Sequence, residues 1–232
     1  MTSGSIRARV RAEMIEEIKN AARRQLAADG ANLSLRAIAR EMGMVSSAFY
    51  RYFASRDDLL TALIIDAYNA LGEAAENAGA KPPREDYEAR WLTVTRAIRE
   101  WAVKSPHEYA LIYGSPVPGY VAPEDTVQPS IRPVVVLGGI LDDAKQAGRL
   151  QIDVTYPSPA IQEELKVVAE GVAPHLDEAI MARAMIAWTE LFGAISFELF
   201  GRFKNTITDL DAWYEHQIRE LANYLGLTSS AR

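Results

Sequence analysis

The sequence contains no cysteine, which excludes disulfides and thiolate metal sites. Histidine is nearly as scarce: His107, His175 and His216 stand far apart, and none belongs to a metal-spaced pair or a nucleophile arrangement. The adjacent carboxylates Glu16-Glu17, Asp57-Asp58 and Asp142-Asp143 point to different faces of a helix, so they read as solvated charges and not as acid and base partners. A phosphate-cradling glycine loop is missing too. No catalytic residue, metal or cofactor is therefore expected. Strict apolar–polar alternation is lacking along the chain, which argues against a sheet. No apolar run comes near the roughly 18 residues that a membrane helix needs, and residues 1–11 lack the apolar core of a signal peptide. A cytoplasmic protein without a membrane segment is expected.

What the chain does have is helical periodicity almost throughout. Its 232 residues, 49% of them hydrophobic, suffice for one small domain and one larger one, divided here as 1–56 and 57–232. A first long helix over about residues 5–28 places Val10, Met14, Ile18, Ala22 and Leu26 on one face. A longer helix runs from about Arg56 to Asn77, and the run from Gly79 to Pro83 breaks the chain. Beyond it Tyr87, Trp91, Thr95, Ile98 and Trp101 share a face that Pro106 closes off. Residues 114–133 hold so many glycines and prolines that regular structure is expected only from about Ile131, and this stretch is expected to move.

Residues 34–60 carry the most information. Ser34 caps a short helix whose Leu35, Ile38, Ala39 and Met42 fall at the spacing of one buried face, and Gly43 ends it. Val45 or Ser46 starts a second helix in which Phe49 and Phe53 point inward. Ser47, Ala48, Arg51 and Tyr52 are left facing out, and the small residues allow close approach to base edges. Ser55 caps a third helix with Asp58 as its capping-box partner and with Leu59, Leu60, Leu63 and Ile64 on its apolar side. Arg56 sits where the helix macrodipole disfavours a cation, which points to a phosphate nearby. Two short helices across a glycine turn, with aromatic hydroxyls and arginines facing out, form a helix-turn-helix suited to reading DNA.

Charge points the same way. Through Arg56 the chain has ten basic and five acidic residues, a balance of +5, whereas the whole chain carries −6 and the remainder therefore −11. A basic head on an acidic body suits a protein that meets phosphate at one end only. Arg7, Arg9 and Arg11 are candidates for an arm towards the minor groove.

The run Ala37-Ile38-Ala39, Gly43, Tyr50-Arg51-Tyr52-Phe53, Ser55-Arg56 and Leu59-Leu60, preceded by a long helix, resembles the TetR family of one-component transcriptional regulators over about residues 8–65. The family usually has serine two residues after the glycine. Val45 stands there in this chain, and Ser46 is the residue that would replace its phosphate contact. The resemblance implies an all-α protein: an N-terminal three-helix DNA-binding domain followed by a C-terminal helical ligand-binding and dimerisation domain. Its DNA-facing residues would be Ser34, Arg36, Ser46, Ser47, Ala48, Tyr50, Arg51, Tyr52 and Arg56. Further on, Trp188-Thr189-Glu190-Leu191-Phe192-Gly193 looks like the Trp-His-Gly signature of one effector-domain subgroup, with Phe192 at the histidine position.

Two late helices, at about residues 178–203 and 210–225, carry apolar residues on more than one side, among them Ala194 and Leu221, and are expected to pair across a two-fold axis. The body also holds more aromatic residues than a short bundle needs. Trp91, Thr95, Trp101, Tyr109, Tyr113, Val136, Ile140, Trp188 and Phe192 are the candidate lining of a cavity for a small apolar or aromatic effector. The function expected is a ligand-responsive regulator, a repressor, that binds palindromic double-stranded operator DNA as a homodimer. The alternatives are an all-helical small-molecule-binding protein or enzyme without DNA function, and a helical adaptor whose head binds protein.

Overall fold

The structure, a computed structural model of the chain, describes residues 3–30, 33–150, 152–153 and 155–228. Among them the regular elements are all helices: α1 (Ser3–Asp29), α2 (Leu35–Glu41), α3 (Ser46–Phe49), α4 (Arg56–Gly79), α5 (Tyr87–Lys104), α6 (Pro106–Tyr113), α7 (Val127–Gln146), α8 (Pro159–Val172), α9 (Glu178–Leu199) and α10 (Leu210–Tyr224). They form two compact units, Met1–Tyr68 with Ser105–Val127, and Asn69–Lys104 with Gln128–Arg232. The boundary expected between residues 56 and 57 falls at the first residue of α4. The packing instead divides α4 near its middle and returns α6 to the first unit.

In the first unit, α1 contributes Ile18, Ala21, Ala22 and Leu26 to a core completed by Ile38 and Ala39 of α2, Phe49 of α3, Phe53, and Leu59, Leu60 and Leu63 of α4. Val10 is 50% exposed, so α1 extends two turns beyond the core it helps to build. Those turns are helical from Ser3 onward, and Arg9 pairs with Glu13 along them at 3.5 Å. Arg7, Arg9 and Arg11 thus belong to a helix and not to an extended arm. On the opposite side α6 packs on α1. Arg23 of α1 donates to Glu108 at 3.0 Å and to Asp66 at 2.6 Å. Lys19 pairs with the same Asp66 at 2.7 Å and with Glu16 at 2.6 Å; burial works against its charge, but these carboxylates win and raise its pKa.

In the second unit, α9 packs against α8, α10 and α5. Trp91, 2% exposed, donates its indole N–H to the Ile218 carbonyl at 3.0 Å, and the Tyr214 hydroxyl donates to the Thr95 carbonyl at 2.8 Å, so α5 and α10 are bolted together from both sides. Arg99 of α5 reaches both neighbours, Asp211 of α10 at 2.7 Å and Glu198 of α9 through a two-pronged contact at 2.7 and 2.8 Å. By length and composition α9 is apolar enough to cross a membrane. Its Ile180, Met181, Ala187, Leu191, Phe192 and Ile195 are instead buried among neighbouring helices.

Regular structure resumes with a 3-10 turn at Glu124–Thr126 and continues as α7 from Val127, ahead of the Ile131 expected from the prolines. Pro129 lies in the first turn, where its missing N–H would have had no intrahelical partner anyway, and only Pro133 interrupts the ladder. The stretch before it is held in place: Val117 is buried, and the hydroxyls of Tyr120 and Thr61 are 2.9 Å apart. Helix α8 adds to the helices expected from the sequence, with Leu165, Val168, Ala169 and Val172 at helical spacing.

Candidate functional site

The head is set by local chemistry. Ser34 accepts the Ala37 N–H at 3.3 Å and starts α2. Gly43, at φ +66°, ends it with paired bonds from its own N–H to the Arg40 carbonyl at 3.1 Å and from the Met44 N–H to the Ala39 carbonyl at 2.8 Å. Val45 is the N-cap of α3, so Ser46 is the first helical residue. Regular helix covers only four residues there, but the Phe53 N–H still reaches the Phe49 carbonyl at 3.3 Å, which keeps both rings in the core, with centroids 6.4 Å apart. At α4 the Asp58 N–H donates to the Ser55 hydroxyl at 3.0 Å while Asp58 accepts the Ser55 N–H at 3.1 Å. The capping box is complete.

With the core filled and the ends capped, the remaining side chains define the surface. Arg36, Ser46, Ser47, Tyr50 and Arg51 are exposed, Ala48 and Tyr52 half-buried, and Ser34 is exposed while its hydroxyl oxygen caps α2. Tyr50, 49% exposed, meets Phe49 edge-on, which fixes its ring and leaves the phenol outward. No ion pair joins Arg36 or Arg51 to a carboxylate among the described residues. Arg56 differs: Asp57 lies 3.8 Å away, so a helix-start cation here already has an anionic neighbour. Sequence reasoning missed the role of Arg11. Its guanidinium lies 5.2 Å from the centre of the Tyr52 ring and donates to the Arg51 carbonyl at 3.0 Å, tying α1 to the turn that carries both residues.

The second unit holds a narrow apolar slot with a cavity of about 30 Å³. Trp91 closes one side. Helix α7 supplies Val134, Leu137, Gly138 and Leu141, α8 supplies Val168 and Val172, and α9 supplies Met181, Ala184, Met185 and Trp188. Gly138 sets the width, since a β-carbon there would lie 2.6 Å from a Val172 methyl. Of the side chains expected to line a cavity, Trp91 and Trp188 meet here. Thr95 is buried with its hydroxyl on the Trp91 carbonyl at 2.9 Å, Ile140 and Phe192 are core residues, Trp101 is half-buried elsewhere, and Val136 lies on the side of α7 near Gly79. Tyr109 and Tyr113 belong to the first unit, where they stack 5.2 Å apart and burial pushes the Tyr113 phenol far above its ordinary pKa. None of the lining residues comes from 114–133, the stretch expected to open and close over a cavity.

Charged ties fix the α7 wall. Arg84 and Arg90 reach Asp143 at 3.0 and 2.8 Å, and they hold its carboxyl below the usual range against the opposing effect of burial. Lys145 meets Asp177, the N-cap of α9, at 2.9 Å; there too the partners outweigh burial and lower the pKa.

Residues 18–63 match the profile described as bacterial regulatory proteins, tetR family, and residues 91–221 match the tetracyclin repressor-like C-terminal domain. The chain is 40% identical over 222 residues to the HTH-type transcriptional regulator Rv1816 of Mycobacterium tuberculosis, covering 92% of this chain and 93% of that protein. A crystal structure of the putative regulatory protein SCO4313 superposes with a TM-score of 0.75 at 32% identity, covering 93% of this chain and 98% of the other. A tetR-family regulatory protein from Rhodococcus RHA1 shares the fold, with a TM-score of 0.63 at 18% identity over 93% of this chain and 98% of its own. These matches do not extend to the Trp-His-Gly subgroup. In this chain Phe192, stacked 5.8 Å from Trp188, places a buried hydrocarbon ring where that signature has a titratable one. With a complete helix-turn-helix, an outward set of arginine, serine and tyrosine side chains, and relatives matched over nearly its whole length, the chain belongs to the TetR family: it is a ligand-responsive, DNA-binding transcriptional regulator and not an enzyme.

Proposed function

We propose that the chain is a cytoplasmic repressor that binds a palindromic operator as a homodimer through α9 and α10, and that a small uncharged apolar or aromatic effector in the slot releases it. The nine head residues from Ser34 to Arg56 named above are the proposed DNA-facing set, and Trp91 and Trp188 the proposed effector contacts. Binding that occupies the operator blocks transcription, and an effector relieves the block by favouring a form with lower DNA affinity. A hundredfold loss of DNA affinity needs about 2.7 kcal/mol of differential binding.

The observation that carries the reading is a stripe on α9. Ile186, Phe197 and Phe200 are 54%, 50% and 46% exposed, and with the half-buried Gly193 they recur at helical spacing along one face. A monomer gains nothing from presenting that much apolar surface to water. A second copy placed across a two-fold axis covers it and pairs two heads, as reading two operator half-sites about 34–36 Å or a multiple apart requires. The residues on which pairing was expected to depend, Ala194 and Leu221, are only 7% and 4% exposed and pack inside their own protomer. Charges introduced there would test folding; the outward residues test assembly. Phe197→Asp should sediment as a folded monomer at micromolar concentration and lose operator affinity, whereas the wild type should sediment as a dimer. A stable wild-type monomer bound to DNA at full affinity would remove the proposal.

A further inference from the structure

The exposed face of α9 is symmetric about one residue. Ile186, Thr189, Phe197 and Phe200 are exposed and Gly193 is half-buried; counted from Gly193, the four stand at −7, −4, +4 and +7. At 3.6 residues per turn all five fall within about 40° of one line along the helix. Thr189 donates its hydroxyl to the Met185 carbonyl at 2.9 Å, so it brings no unmet donor to that face. Phe197 is steadied by Phe203, with ring centroids 5.8 Å apart. Gly193 has no such tie. Apart from the neighbouring backbone of its own helix, a β-carbon there would meet nothing within 4 Å, whereas at Gly72 it would lie 2.7 Å from the Arg132 side chain and at Gly138 2.6 Å from that of Val172. A glycine inside a helix weakens it relative to alanine, and nothing within the chain compensates at Gly193. Gly139 and Gly171 are equally open, but neither is the midpoint of an exposed apolar run.

We infer that α9 crosses a second copy of itself antiparallel at Gly193, with the two-fold axis of the dimer passing there, so that Ile186 packs on the partner's Phe200 and Thr189 on the partner's Phe197. This rests on the dimer reading above and fixes which residues meet and in which direction. A two-fold contact brings residue i of one copy onto residue j of the other and j onto i; where the axis crosses a helix at right angles, i and j lie equally far from it on opposite sides. The spacing of α9 meets that condition twice. A foreign partner would impose no such symmetry on the stripe. Two α9 helices running parallel would set Glu190, exposed on the flank of the stripe, against the partner's Glu190. The antiparallel crossing sets it against the partner's Ser196 instead. With no side chain at the crossing point, the two backbones approach more closely than the roughly 8–10 Å of ordinary helix pairs.

The test uses the full-length protein, in which the lack of cysteine makes any introduced thiol the only one. Ile186→Cys and Phe200→Cys are treated with a short bismaleimide, each alone and as an equal mixture left to exchange subunits. In an antiparallel pair, thiols at the same position of both copies lie about 21 Å apart, the rise of the helix between residues 186 and 200, and only the mixture brings unlike positions together. The mixture should therefore give at least about fivefold more cross-linked dimer than either variant alone. Gly193→Leu meets open space in its own chain, so it should keep the helical spectrum of the wild type while its dimer dissociates at least about tenfold more readily in sedimentation. No excess of product from the mixture, with the wild type dimeric, would overturn the antiparallel crossing and leave the dimer reading in place. A Gly193→Leu dimer as tight as the wild type would overturn the close approach at residue 193. A wild type that stays monomeric at micromolar concentration would end both readings and leave the stripe to another protein.

Discussion

The two units put their proposed functional residues on opposite sides of the packing. In the head the core is full, both ends of α2 and the start of α4 are capped by their own neighbours, and the proposed DNA contacts are what remains outside: Arg36, Ser46, Ser47, Tyr50 and Arg51. In the body the outside is laced with ion pairs such as Arg96 with Glu215 and Arg132 with Glu76, and the proposed effector site is what the interior leaves unfilled. A protein that must grip a polyanion presents donors. A protein that must admit an apolar guest withholds them.

The largest effect expected from breaking this contrast is at Trp91, which belongs to both the slot and the core. Trp91→Ala should cost about 3–5 kcal/mol of unfolding free energy, because it empties a buried site and removes the indole's bond to the Ile218 carbonyl. Urea denaturation measures it; a loss under about 1 kcal/mol would make Trp91 a loose pocket residue and not a structural one. A smaller effect belongs to the head, where Ser55→Ala removes half of the capping box and should cost about 0.5–2 kcal/mol. It should also fray the start of α4, read as faster amide exchange at Asp57 and Asp58, with the slot unaffected.

Smaller still is the acid sensitivity of the α7 wall. Asp143 and Asp177 have folded-state pKa values below that of an ordinary aspartate. Their stabilisation is therefore complete well above about pH 4 and disappears as the pH falls below it. The stability difference between wild type and Asp143→Asn should be present at neutral pH and should shrink towards zero in acid. A difference that persists below the folded-state pKa would show that Asp143 acts through shape and not through charge.

The same contrast explains what could be read without the structure. The head was legible because its signals are local: a serine before an apolar period, a glycine after it, a serine and an aspartate three apart, two phenylalanines four apart. Each proved to be the cap, turn or core contact expected. The early start of α7 escaped because two prolines suggest a break, whereas the first of them lies where a helix tolerates it. The arginines near residue 10 read as an arm or a solvated terminus because a basic start carries no signal of its own, whereas α1 begins at Ser3. In the body, counting aromatics could not show which side of a helix each occupies, and so Tyr109, Tyr113, Thr95 and Ile140 were grouped with Trp91 and Trp188. Nor can any sequence pattern show that one indole is satisfied and another is not, since Ile218 lies 127 residues from Trp91.

The central claim is that the residues the head leaves outward grip DNA phosphates, and one measurement tests it most directly. The full-length protein and the variant Arg36→Ala with Arg51→Ala are titrated onto a duplex that the wild type itself recovers from fragmented genomic DNA, at a series of salt concentrations. If each arginine neutralises one phosphate, the variant should bind more weakly at low salt, and its log–log salt dependence should be shallower by about two units. Its melting temperature should be unchanged, since neither arginine makes an ion pair among the described residues. An unchanged slope together with unchanged affinity would contradict the account.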